Sequence, residues 1–267
     1  MNALQSFAMD RPVLFVLGAT IAWFILMLGG GIASSALRKP YGDLTDAIGR
    51  LAATTGLLVL IWRWGGLERS GIARLGRWQV WPLAVGGMLY FAGAGLYAFY
   101  GKVTFSSSSL VRLPAARTLV WIQLARVLNE EILFRGVVLY VLFRAWGHTT
   151  PGTIGSVILT AVLFAIPHIV AVFMGVSLSA ALLLVAEGCI IAVWWGALVL
   201  WGGSIWPAVL LHYVVNVVVA VQGLAVPMVT PDTLAYRRIL WFSVPLGVLG
   251  MGLLVQAAPL PILLETP

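Results

Sequence analysis

The segment LNEEILFRG, residues 128–136, places three ionisable side chains in an otherwise apolar part of the chain: Glu130, Glu131 and Arg135. Burying charge in apolar surroundings is costly unless the charge is paired, so such groups are usually there for a reason. A carboxylate in a protected site can take a proton from water, which is the first step of a hydrolytic reaction. The segment therefore points to a candidate catalytic base.

Helical spacing separates the roles of these groups. Glu131 and Arg135 are four residues apart, so on a helix they share a face and can form an ion pair. Glu130 points about 100° away from Glu131 around the helix axis. It is therefore the carboxylate that this pair leaves available for chemistry. Arg126 lies four residues before Glu130 and could pair with it, which would weaken Glu130 as a base.

Two later segments each place two polar or aromatic groups on one helix face. FAIPH (164–168) pairs Phe164 with His168, and HYVVN (212–216) pairs His212 with Asn216. An imidazole can orient water or donate a proton, and an imidazole with an amide can stabilise an oxyanion. With Glu130, these residue types suggest hydrolysis. The plainer alternative is that each histidine only makes a hydrogen-bonded contact between helices.

The composition shows where such a site would lie. The chain has 267 residues, 61% of them hydrophobic and 9% charged, with a mean hydropathy of +1.01. Soluble domains carry roughly 25% charged residues, so we expect an integral membrane protein. The net charge of +7 suits contact with anionic lipid, and no compact basic stretch indicates nucleic-acid binding. The single cysteine, Cys189, rules out a disulfide within the chain or a cysteine metal site.

Hydropathy predicts an all-α, polytopic membrane protein of about eight transmembrane helices in a single domain, 1–267. The predicted spans are roughly 12–36, 45–64, 81–100, 117–146, 153–174, 178–201, 204–223 and 238–257. The chemistry-bearing segments fall in the fourth, fifth and seventh spans. Segments 38–50 and 65–79 are predicted as interfacial connectors. The glycine-rich stretches GGGIA (29–33) and GVLGMG (247–252) predict close helix packing.

The three segments also match a family pattern. EEILFR (130–135), FAIPH and HYVVN correspond, in order and in separate apolar spans, to Glu-Glu-x-x-x-Arg, Phe-x-x-x-His and His-x-x-x-Asn. In these motifs the chain resembles the CPBP family of intramembrane peptidases. That family includes CAAX prenyl endopeptidases, bacteriocin-processing proteins and Abi-type self-immunity proteins. The resemblance covers a core motif region of about 117–223.

The resemblance implies an intramembrane catalytic cavity and assigns roles to its residues. Glu130 would activate water with help from His168, and His212 and Asn216 would bind the oxyanion. Glu131, Arg135 and Phe164 would support the site, and no cofactor or metal is expected. The family has also been described as metal-dependent, so a Zn²⁺ site remains an alternative. Its ligands would be Glu130, His168 and His212.

The resemblance also implies partners and a location. We expect the chain to sit in the lipid bilayer, in the cytoplasmic (plasma) membrane of a prokaryote. Its substrate would be a membrane-associated peptide or protein cleaved near a terminus: a prenylated CAAX-type chain, a leader-bearing chain or the tail of a membrane protein. No nucleic-acid partner is expected. A non-catalytic membrane scaffold or immunity protein is the second functional hypothesis. A transporter ranks third, because the two halves of the chain show no repeat.

Overall fold

The structure is a computed structural model that describes residues 3–37, 41–100, 113–225 and 239–257. Every regular element in these ranges is a helix. The α-helices are α1 (Ala3–Asp10), α2 (Pro12–Ser35), α3 (Tyr41–Arg63), α4 (Val80–Tyr100), α5 (Leu113–Glu131), α6 (Tyr140–Trp146), α7 (Thr150–Ala165), α8 (Leu178–Gly202), α9 (Trp206–Ala225) and α10 (Val244–Ala257). Two π-helical segments (Ile132–Leu139 and Ile239–Ser243) and one 3₁₀ segment (Ile166–Met174) extend these helices.

Four helical stretches in the described ranges are long and apolar enough to cross a bilayer. They are Pro12–Ser35, Asp43–Arg63, Thr150–Phe173 and Leu178–Gly202. Shorter apolar stretches are Val80–Phe91, Trp206–Val217 and Trp241–Gln256. The all-helical, membrane-embedded class is therefore confirmed. The count of eight spans stays a prediction.

One predicted boundary is wrong in a way that affects the site. Segment 38–50 was expected to be an interfacial connector, but α3 already begins at Tyr41. The charges of Asp43, Asp46 and Arg50 lower the local hydropathy, although the segment is helical. As a result, Asp46 and Arg50 stand on a long helix that packs against α5. By contrast, 65–79 is made of turns and irregular backbone, as a connector should be.

Helix α5 lies at the centre of the arrangement, packed against α3 on one side and α9 on another. It does not continue as a regular α-helix. Immediately after Glu131 the chain widens into the π-helical segment Ile132–Leu139, and all eight of its residues are buried. Segments of this kind occur often at functional sites in proteins. The sequence predicted an uninterrupted helix here, and no local signal explains the change.

The end of α7 is set by Pro167. Proline lacks a backbone N–H and its ring clashes with the carbonyl four residues earlier, so an α-helix cannot continue through it undisturbed. The chain tightens at Ile166 into the 3₁₀ segment, which ends at Gly175 in the left-handed region (φ 87°). His168 therefore stands just beyond the α-helix, on a segment of different pitch.

The two glycine-rich stretches behave differently. Gly247 and Gly250 of α10 lie directly against α8: an added Cβ would come within 2.7 Å of Ile190 and 2.9 Å of Trp194. The close packing predicted for GVLGMG is confirmed. For GGGIA the prediction is wrong, because a Cβ at Gly29, Gly30 or Gly31 would meet no described atom within 4 Å. These three glycines are on the exposed end of α2.

Candidate functional site

The predicted catalytic residues line one cavity of about 570 Å³. Glu130 comes from α5, His168 from the 3₁₀ segment, and His212 and Asn216 from α9. Phe164, at the end of α7, also lines it. Residues that are up to 86 positions apart in the chain thus share a single space. Helix α5 packs against α9, and the 3₁₀ segment packs against α8, which also contacts α9.

Glu130 lies between a histidine and an arginine. Its Oε2 atom is 3.6 Å from His212 Nε2, and its Oε1 atom is 3.7 Å from Arg50 Nη1. Both distances exceed that of a direct hydrogen bond, so the contacts are electrostatic. The pairing of Arg126 with Glu130 considered from the sequence is wrong. Arg126 Nη2 instead lies 3.1 Å from Asp46 Oδ2 on α3.

Behind Glu130 lies a buried clamp formed by Glu131, Arg135 and His212. Glu131 Oε1 accepts hydrogen bonds from Arg135 Nη1 at 2.8 Å and from His212 Nδ1 at 2.7 Å. The Glu131 and Arg135 side chains are both 0% exposed. A carboxylate paired with arginine only accepts hydrogen bonds, so Nδ1 of His212 carries a proton and Nε2 faces Glu130. Spacing predicts the Glu131–Arg135 pair but not its bond to His212.

Two aromatic rings enclose the clamp. The Arg135 guanidinium lies over the rings of Phe164 and Trp195, at 4.6 and 5.3 Å from their centroids. His212 stacks on Trp195 at 4.6 Å and meets the Phe164 ring edge-on at 5.6 Å. Arg135 Nε and Nη2 have no hydrogen-bond partner among the described residues. The contacts of the guanidinium with the two rings partly replace these missing hydrogen bonds. Phe164 was expected near the site, whereas Trp195 belongs to no motif and was missed.

His168 enters the cavity without touching Glu130. Its Nδ1 atom is 3.1 Å from the Ala165 carbonyl oxygen, and its ring centroid is 5.6 Å from that of Phe164. Since a carbonyl only accepts, Nδ1 carries the proton and Nε2 is left as an acceptor in the neutral ring. In the described part of the chain, the ion pairs of Glu130 are with Arg50 and His212. His168 is therefore placed to act on Glu130 only through a bound molecule.

On the opposite side of Glu130 lies a second charged group, the cavity-side cluster of Asp46, Arg50 and Arg126. Asp46 accepts from Arg50 Nε at 3.1 Å and from Arg126 Nε and Nη2 at 3.2 and 3.1 Å. Arg50 and Arg126 both line the 570 Å³ cavity. The sequence reading missed this cluster because Asp46 and Arg50 fell where the predicted connector, 38–50, overlaps the predicted span, 45–64, and were given no role.

Asn129, next to Glu130 in the chain, ties three helices together and was also missed. It is fully buried and accepts a hydrogen bond from Trp23 Nε1 on α2 at 2.6 Å. Its amide nitrogen donates to the Arg50 carbonyl and to Thr54 Oγ1 on α3, both at 3.2 Å. Every one of its bonds reaches another helix. Asn129 therefore sets the position of α2 and α3 relative to Glu130.

The zinc alternative does not fit this arrangement. Among the described residues, no group of three His, Cys, Asp or Glu side chains is placed to hold a metal ion. His212 and Glu130 approach each other, but His168 directs its Nδ1 to a backbone carbonyl and lies outside ion-pair distance of Glu130. Metal binding at these three residues would require His168 to move.

Comparison with known proteins agrees with the motifs. Residues 112–218 match the family model described as Type II CAAX prenyl endopeptidase Rce1-like. No curated protein and no solved structure matches the chain significantly. The matched region contains α5, the buried clamp, the 3₁₀ segment and the His212–Asn216 face of α9. Residues 112–218 are therefore similar to the Rce1-like type II CAAX prenyl endopeptidases, in agreement with the resemblance of the three motifs, and this similarity indicates a CAAX-type peptidase in general.

Proposed function

We propose that the cavity hydrolyses a peptide bond near the terminus of a membrane-associated substrate, such as a prenylated CAAX-type chain or a leader-bearing chain. One observation carries the proposal. Glu130 Oε2 and His212 Nε2, from different helices, face each other at 3.6 Å in the cavity, and Glu131 orients His212 from behind. A base and an oriented imidazole beside an open space are the parts that peptide hydrolysis needs.

The first step is attack by water. Glu130 takes one proton from the water as its oxygen bonds to the carbonyl carbon of the scissile peptide. The neutral His168 ring offers Nε2 as an acceptor and helps to orient the same water. Two acceptors on different elements thereby direct the lone pair of the water oxygen at the substrate.

The second step is stabilisation and collapse of the tetrahedral intermediate. When both ring nitrogens of His212 carry protons, Nε2–H donates to the oxyanion, and the Asn216 side-chain amide donates a second hydrogen bond. Protonated Glu130 then gives its proton to the leaving amine as the C–N bond breaks. The carboxylate of Glu130 is regenerated and the two peptide fragments are released.

The cavity walls support a substrate that is presented at membrane depth. Apolar residues of α2, namely Trp23, Phe24, Met27 and Leu28, line the cavity. Val170, Ala171 and Leu184 line it as well. The charged lining residues are Arg50, Arg126 and Glu130. A lining that combines apolar and charged groups suits a chain with an apolar anchor and a polar peptide end.

The test compares peptide termini by mass spectrometry in membranes of cells with the wild-type protein, Glu130→Gln or Glu68→Gln. Glu68 is an exposed carboxylate paired with Arg74 in the 65–79 segment and serves as the matched control. We expect Glu130→Gln to remove a specific set of termini, with a rate loss of about 10²-fold or more for the purified protein. Identical termini in all three samples would instead favour the scaffold hypothesis.

Chelation tests the mechanism separately. Because the proposed reaction uses only protein side chains, exhaustive chelation should leave the rate of the purified protein unchanged. A loss of activity that added Zn²⁺ restores would replace this mechanism with the zinc-dependent one.

A further inference from the structure

The 65–79 connector contacts both elements that carry the buried clamp. The Ile72 side chain packs against Gly136 of the π-helical segment, where an added Cβ would lie 2.9 Å from Ile72 Cδ1. Gly136 directly follows Arg135 in the chain. The Ile72 carbonyl oxygen accepts a hydrogen bond at 2.9 Å from Nε1 of Trp206, the first residue of α9. One connector residue therefore touches the element of Arg135 and the helix of His212.

The connector also fixes the start of α9 through further hydrogen bonds. The backbone N–H of Ile205 donates to the Gly71 carbonyl at 3.2 Å. The buried Ser204 hydroxyl donates to the Arg74 carbonyl at 2.7 Å and accepts from the Trp206 N–H at 3.2 Å. Ser204 thus satisfies an N–H in the first turn of α9 and ties that turn to the connector. The position of α9 is set where it begins.

Gly76 allows the connector to lie this close to the turn between α8 and α9. Its φ is 74°, in the region that favours glycine. A Cβ at this position would overlap the Gly202 carbonyl oxygen and lie 2.7 Å from Ser204 Cβ. The connector is therefore packed directly onto the turn, and it can act as a fixed spacer for the elements on either side.

The separation of these elements determines the geometry of the clamp. His212 is on α9, whereas Glu130 and Glu131 are on α5, immediately before the π-helical segment. The contacts of His212 with them, at 2.7 Å to Glu131 and 3.6 Å to Glu130, both cross between helices. Hydrogen bonds within a single helix cannot set such distances. A displacement of about 1 Å in a catalytic site can cost about 10²-fold in rate.

We infer that Ile72 is a positioning residue, which holds the π-helical segment and α9 at the separation that lets His212 bond to Glu131 and face Glu130. The effect on rate rests on the proposed function. In the described part of the chain Ile72 does not line the cavity, so it acts through Gly136 and Trp206. Ile72 also lies outside residues 112–218, so the family match assigns it no role.

The experiment uses the full chain in vesicles of neutral lipid. The substrate is a peptide mixture anchored by an S-farnesyl cysteine or an N-terminal palmitoyl group, with randomised residues beyond the anchor. Ile72→Ala should lower the kcat of folded protein by about tenfold or more and leave KM unchanged. Leu75→Ala is the matched control, because Leu75 is an aliphatic residue of the same connector and is 70% exposed. This control should keep both constants.

A second substitution tests the contact between Ile72 and Gly136 directly. Gly136→Ala alone directs a methyl group at Ile72 Cδ1 and should lower kcat as well. In the double variant Ile72→Ala/Gly136→Ala the new methyl group occupies part of the vacated space. The double variant should therefore regain most of the lost kcat. A merely structural role of Ile72 would lower the folded fraction and leave the kcat of the folded protein at the wild-type value.

A spectroscopic measurement tests the positioning without using activity. The chain has 3 histidines, so the Nδ1–H resonance of His212 can be observed in protein labelled at histidine and assigned by its loss in His212→Phe. The bond to the Glu131 carboxylate should shift this resonance downfield. Ile72→Ala should move it upfield or broaden it through exchange with water. Leu75→Ala should leave it in place, and the double variant should restore it.

The possible outcomes are distinct. If Ile72→Ala keeps both the kcat of folded protein and the His212 resonance, the inference is overturned while the peptidase function stands. If Gly136→Ala fails to restore kcat and the resonance in the Ile72→Ala background, the contact does not set the separation and the inference is again overturned. If the wild-type protein cleaves nothing and matches Glu130→Gln, the proposed function fails, and the resonance alone decides whether Ile72 positions His212.

Discussion

Two charged groups flank Glu130, and they differ in what surrounds them. The buried clamp of Glu131, Arg135 and His212 is enclosed by the Phe164 and Trp195 rings, and its carboxylate and guanidinium have no exposure. Arg50 and Arg126 of the cavity-side cluster, which also contains Asp46, line an open space. Both groups use an acid and basic partners at ordinary bonding distances. The clamp reaches the cavity only through His212, whereas both arginines of the cluster line it.

This difference in exposure indicates different roles, since the clamp holds His212 in place and the cluster can contact a bound molecule. A buried ion pair has already lost its hydration, so removing one partner leaves a charge with no solvent to stabilise it. A partly exposed pair keeps some hydration, and removing one partner costs little. The clamp is therefore suited to fix His212, and the cluster is suited to exchange partners. Variants in the clamp and variants in the cluster should therefore differ in which property they change as well as in the size of the change.

The largest expected effect is on stability. Arg135→Met leaves Glu131 buried without its guanidinium and should lower the free energy of unfolding by about 3–5 kcal/mol. Arg50→Met in the cavity-side cluster should cost about 1 kcal/mol, because Asp46 keeps Arg126 as its partner at 3.1 Å. Thermal and denaturant unfolding in the same detergent would measure both. Equal losses would show that exposure does not distinguish the two groups.

A second effect appears in the kinetics. Glu131→Gln removes the anion that holds His212 in its donating form and should lower kcat by about 10²-fold with little change in KM. Asp46→Asn loosens the two arginines that line the cavity and should act mainly on KM. Steady-state rates on the cleaved peptide mixture would separate these patterns. If the two variants change kcat and KM in the same proportion, the division of roles is contradicted.

The smallest effect concerns the stacking of Trp195 on His212. Trp195→Leu removes a stacked ring worth about 0.5–1.5 kcal/mol and should lower the rate by up to about tenfold. Trp121→Leu on α5 is the matched control, since Trp121 is 70% exposed and should have no effect. Both variants would be compared in the same vesicle assay. A full rate in Trp195→Leu would show that Glu131 alone orients His212.

Local spacing predicted the parts of the site that lie on a single helix. The Glu131–Arg135 pair, the Phe164–His168 contact and the shared face of His212 and Asn216 follow from neighbours at four-residue intervals. Spacing could not predict the bond from Glu131 to His212, which joins α5 to α9. It also gave Arg126 the wrong partner, because Asp46 on α3 competes successfully with Glu130 on the same helix.

Hydropathy explains the other omissions. It averages over a window, so the charges of Asp46 and Arg50 made the start of α3 resemble a connector. It also treats Asn129 and Trp195 as ordinary residues of apolar spans, since a single polar or aromatic group leaves no periodic signal. Their importance lies in contacts across helices, namely with Trp23, Arg50 and His212.

The sequence by itself determined that this chain is an all-helical membrane protein that resembles CAAX peptidases. Apolar composition and three ordered motifs suffice for that resemblance, because both are properties of residue type and local spacing. Only the tertiary structure decided which charges pair across helices, which rings enclose Arg135, and that α3 supplies charged residues to the cavity wall. Those features depend on distances between helices, and such distances follow from the packing of the whole bundle rather than from any one segment.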